Sequence, residues 1–402
     1  MDSLMNRCRA FAEAVVIMVC PVLLAIALKK VDLRSQEHGP AVPTAMLVMA
    51  AITLISGTVP FLALCFSKSF FNGAWRLPAT ATYCLAPFSC ACLIGLACWI
   101  IRLILSERWA YAFPAMGAVF FLCIVIRSVS YCLARGDPVN LVPADALPVS
   151  ARDALQKAME GKLDDSLEFL AAVTALLFLG LEGLALEGQI NGGQRRLAAP
   201  MGICFFACLF GVCFMLVDTI PPPPPSTKDT GCRANIVRNL TVICEIFMAF
   251  AIAAVMMSIM VVLVQLMALL LFSPLFLILL VHAFDVAVHG GGGGGGQDAK
   301  PASMELSKVT FTGFLAVSIP AIKNGSPSMS TEWFLIFAAS AIVSGFAWRL
   351  LTHAKMGATA NFASFCTHFC IAISTVPFTV MAVKALQKND PQCNHCNASV
   401  SG

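Results

Sequence analysis

Residues 240–288 read LTVICEIFMAFAIAAVMMSIMVVLVQLMALLLFSPLFLILLVHAFDVAV. The stretch contains no Lys or Arg, and its acidic side chains are Glu245 and, close to its end, Asp285. An α-helix needs about twenty such residues to cross roughly 30 Å of hydrocarbon. As one straight helix this stretch would measure about 70 Å, so it must break. Ser273-Pro274 is its strong breaker, because proline lacks an N–H and clashes with the preceding turn. A break there leaves one piece too long and the other short. Two readings follow: a pair of spans turning near Gln265, or one long tilted span followed by a half-helix or interfacial piece. The absence of turn residues around Gln265 favours the second.

The rest of the chain has the same character. Apolar residues make up 59% of the 402 and charged residues 12%. A soluble domain carries roughly twice that charge. With too little polar material to cover a water-facing surface, the chain belongs in a bilayer, where the backbone must satisfy its own hydrogen bonds. A β-barrel would show ten-residue segments of alternating polarity. Continuous apolar runs of about twenty indicate helices instead.

Further runs are Phe11–Leu28, Ala45–Phe66, Tyr83–Leu105, Trp109–Leu133, Leu167–Leu186, Met201–Ile220, Trp333–Leu351 and Ala363–Leu386, with a marginal one at Val309–Ile322. The expected fold is an all-α, polytopic transmembrane helical bundle of about ten spans, nine to eleven. It divides into a four-span N-terminal membrane region (1–133), a polar connector with an amphipathic helix (134–166) and a central membrane region (167–288). A Gly-rich linker (289–308), a C-terminal membrane region (309–386) and a polar tail (387–402) follow. In the connector, Leu155, Met159, Leu163 and Leu167 recur at helical spacing with charges between them. Pro221–Pro225 is a stiff polyproline spacer that must end the preceding span.

The first run resembles a signal sequence in outline, but the many spans downstream favour an uncleaved helix. Lys and Arg near the helix ends set orientation. Through the first six spans the N-terminal side holds twelve and the opposite side seven, which favours a cytoplasmic N-terminus. The Lys29-Lys30 pair argues the other way. Most of the eighteen cysteines lie inside apolar runs, where they act as small hydrophobes. The net charge of +4 is scattered, with no basic block to follow a phosphate backbone, so nucleic acid is not an expected partner. The expected partners are the lipid bilayer and a small solute or ion; a protein partner has no signature.

Ionisable groups at bilayer depth are the candidates for function. Glu168 and Glu182, fourteen residues apart in one span, fall within about 40° of one helical face and about 21 Å apart, and could flank a cation path. Glu245 and Gln265 form a second pair; Gln265 suits a hydrogen bond between helices more than a substrate contact. His282, Asp285 and His289 share a helical face and offer two imidazoles and a carboxylate, a possible first shell for Zn²⁺. Their place at the exit of a span, where polar residues belong anyway, is the plainer explanation. Cys393 and Cys396 form one Cys-Asn-His-Cys pair, half a metal knuckle at most. Asn239 and Asn397 begin glycosylation sequons. Neither a phosphate-binding glycine loop nor a nucleophile arrangement is present, so an enzyme and a cofactor are not expected. Two classes remain, a transporter or channel and a non-catalytic membrane scaffold or accessory subunit.

Overall fold

The structure is a computed structural model. It describes residues 2–27, 41–70, 77–104, 149–191, 194–218, 230–289, 304–324, 327–354 and 356–388, with isolated positions between 117 and 125. The Trp109–Leu133 run, the polyproline segment, the glycine tract and the Cys393/Cys396 tail therefore lie outside the described residues, apart from those isolated positions.

Among the described residues the chain is helical: α1 (Asp2–Ala27), α2 (Ala41–Phe70), α3 (Leu77–Ile104), α4 (Val149–Asn191), α5 (Gln194–Asp218) and α6 (Thr230–Val264). A 3₁₀ segment (Gln265–Phe272) then leads into α7 (Ser273–His289), followed by α8 (Met304–Asn324), α9 (Met329–His353) and α10 (Gly357–Lys388). Among the described residues six stretches are long and apolar enough to cross a membrane: Thr44–Phe66, Asp164–Ala185, Ala198–Leu216, Val242–Phe284, Met329–His353 and Gly357–Ala385. Leu85–Ile101 and Leu306–Ile322 are shorter apolar helices. The chain is thus a helical membrane protein. Pro21, Pro60 and Pro377 sit inside continuous helices, whereas Pro274 stands in the first turn of α7, where its missing N–H costs least.

The chain forms two compact units, residues 1–252 and 253–402, and α6 runs from one into the other. In the first, α4 is the central helix, packed on α1, α3 and α5, while α2 bridges α1 and α3. Its apolar stretch is 83% buried, against 33% for that of α2. This centrality explains why Leu167–Ala185 is apolar all round rather than on one face. From Val149 the connector and the span after it form one helix of 43 residues, about 65 Å long.

Close approach within this unit depends on small residues. A Cβ at Gly211 of α5 would fall inside the Thr174 hydroxyl of α4 and 2.9 Å from Met248 Cε of α6. Thr174 cannot easily turn away, because its hydroxyl donates to the Leu170 carbonyl at 2.6 Å. Beside it, the Cys204 thiol donates across the interface to the Leu177 carbonyl at 2.9 Å. Gly211→Ala is therefore expected to cost about 1–3 kcal/mol by overpacking. Thermal unfolding in detergent would show it as a lowered midpoint, restored when Thr174→Ala is added. An unchanged midpoint for the single variant would refute the close packing.

In the second unit α9 is the central helix, with 78% of its span buried, and α10 the peripheral one, with 22%. Ser328 caps α9 by accepting the Thr331 N–H. Ser344 and Thr367 hydroxyls join α9 to α10 at 3.1 Å. The break before α7 falls at Gln265, whose φ of 53° lies in the left-handed region. Neither glycine nor asparagine marks it. Gln265 opens eight residues of 3₁₀ helix, and Pro274 then leaves the Leu271 carbonyl without a 3₁₀ donor. The Ser340 hydroxyl of α9 donates to that carbonyl at 3.3 Å. Left-handed backbone costs a residue with a Cβ about 1 kcal/mol or more, so Gln265→Gly is expected to raise the unfolding midpoint and Gln265→Val to lower it. The reverse order would contradict the break.

Candidate functional site

The acidic candidates separate by burial. Glu168 stands at the mouth of the α4 span and is exposed. From Phe169 to Ala185 nearly every position of α4 is buried, and Glu182 is only 7% exposed. The two carboxylates share an approximate face but not an environment. Neither oxygen of Glu182 has a hydrogen-bond partner. Most buried polar groups in proteins are partnered, and an orphan needs an explanation.

The interior one turn from Glu182 is apolar. One turn before it, on the same face, Phe178 lines a cavity between α3, α4 and α5 with Leu93, Ala97, Phe205, Cys208 and Val212. That cavity has room for about 10 Å³ and exposes no polar atom. The Cys208 thiol lies within electrostatic reach of Glu182. Ser166, at the start of the same buried stretch, also has a hydroxyl without a partner.

Glu245, on α6, is buried as well, at 2% exposure. Gln265 is exposed and sits at the helix break. His282 lies on α7 with its Nδ1 buried and unpartnered. Asp285 and His289 continue the same helix, but their side chains lie outside the described residues. Among the described residues no group of three or more His, Cys, Asp or Glu could hold a metal ion.

No family model, curated protein or solved structure matches the chain. The functional reading therefore rests on the chain's own residues.

One charged pair is invisible to helix-by-helix reading. Arg7 Nε donates to Asp164 Oδ1 at 2.6 Å, joining α1 to the start of the α4 span. Their side chains are 6% and 19% exposed. Arg9, by contrast, pairs along its own helix with Glu13 at 3.1 Å, and both are exposed. The signal for the first pair was present as opposite charges at the beginnings of two spans. Only the packing of α1 against α4 selects it among the alternatives.

Proposed function

We propose that the protein carries a small ion or solute across its membrane and that Glu182 is the group that binds the cation. The observation that carries this reading is a buried carboxyl group with neither oxygen partnered, in the central helix of a membrane bundle. Ionisable residues inside membrane helices are costly and mark ion pathways by default. A cost on that scale is retained where it serves binding. The bilayer and a small ion or solute are the proposed partners, with the N-terminus in the cytoplasm and about ten spans in all.

A scaffold or accessory subunit is the second reading. It is favoured by the apolar lining of the cavity beside Glu182, since a scaffold needs no polar path. No catalytic role is proposed: the one His/Asp group with the right chemistry is His282, Asp285 and His289.

Reconstitution into sealed vesicles separates the two. With pH-sensitive and potential-sensitive dyes inside, wild-type protein is expected to dissipate an imposed ion gradient, and Glu182→Gln to behave like protein-free vesicles. Equal fluxes from wild type and Glu182→Gln would remove Glu182 from the path.

A further inference from the structure

We infer that the ligand of Glu182 is a proton rather than a metal or alkali cation, an inference that rests on the reading of Glu182 as the cation-binding group. The argument is one of coordination and room. Ca²⁺ takes six to eight oxygen ligands, Mg²⁺ demands a near-ideal octahedron and Zn²⁺ takes four N, S or O ligands. Glu182 brings two oxygens of one carboxyl group. The neighbours that line the adjoining cavity are Leu, Ile, Ala, Phe, Val and one Cys. The hydroxyl nearest in sequence, that of Thr174, is committed to the Leu170 carbonyl, and the Cys204 thiol to the Leu177 carbonyl. No cluster of three ligating side chains is found among the described residues.

Room for water is small in the cavity one turn away. A cavity needs about 10–15 Å³ of such room to hold one water, which in turn needs two or more polar partners. The space beside Phe178 offers about 10 Å³ and no polar lining. A hydrated ion, or a solute bearing an ammonium group, requires several times that volume. A proton requires one lone pair. It is the one cation a solitary carboxyl group can hold in apolar surroundings without any other ligand.

Infrared difference spectroscopy on the full chain in vesicles tests this. The probe is the carbonyl stretch of a protonated carboxylic acid, recorded across pH in Na⁺, K⁺, Ca²⁺ or Zn²⁺. The expected result is a pH-dependent band that Glu182→Gln abolishes, Glu182→Asp shifts, and the choice of ion leaves unchanged. A band that disappears on adding one of these ions, with binding of that ion lost in Glu182→Gln, would overturn the proton while keeping Glu182 as a cation ligand. The absence of any band dependent on Glu182, with no ion binding dependent on it either, would overturn both.

Discussion

Replacing Glu182 with leucine is expected to make the protein more stable and inactive at once. A buried polar group without a partner costs about 1–3 kcal/mol of folding free energy. Both oxygens of Glu182 are in that state. Leucine removes the cost and adds apolar surface to a helix whose span is 83% buried. A gain of about 1–3 kcal/mol would appear as a raised unfolding midpoint in detergent, beside a flux reduced to the level of empty vesicles. This opposition is the mark of a residue kept for function at the expense of stability. A structural role makes the opposite demand: leucine would then lower the midpoint, because whatever Glu182 holds together would be lost.

The second large effect belongs to Arg7. Its guanidinium reaches Asp164 at 2.6 Å with both side chains mostly buried. Removing one partner of a buried ion pair leaves an uncompensated charge and costs about 3–5 kcal/mol. Arg7→Ala is expected to fall at the lower end of that range, because Asp164 keeps some exposure and a further interaction. Arg7→Met, which retains the apolar stem, separates lost packing from lost charge. The paired variant Arg7→Ala/Asp164→Ala should recover much of the loss, since it removes both charges. Arg9→Ala serves as the comparison, because an exposed i,i+4 pair contributes about 0.3–0.5 kcal/mol. Chemical unfolding that gave Arg7→Ala and Arg9→Ala the same small effect would contradict the clamp between α1 and α4.

Much of the architecture was legible because hydrocarbon thickness limits helix length. The expected run Ala45–Phe66 appears as Thr44–Phe66, and Leu167–Leu186 as Asp164–Ala185. Where the physics is local, periodicity and length suffice. One feature escaped because it is not local. At Gln265 the chain breaks without glycine or proline, and the 3₁₀ segment that follows has one of its carbonyls satisfied by Ser340, 69 residues away. No window around Gln265 contains that serine.

The candidate site was legible in part for the same reason. Composition pointed to Glu182 as an intramembrane carboxylate, and helical geometry paired it with Glu168. The pairing of faces carried no information about depth within the unit. The exposure of one residue and burial of the other follow from where α1, α3 and α5 cover α4.

The most direct test of Glu182 as the cation-binding group is labelling by a membrane-permeant carbodiimide in reconstituted vesicles across pH, with Glu182→Gln as control. Labelling that maps to Glu182, varies with pH and stops ion flux in proportion to its extent is the expected result. A Glu182 that stays unlabelled at every pH, or that is labelled while flux continues undiminished, would contradict it.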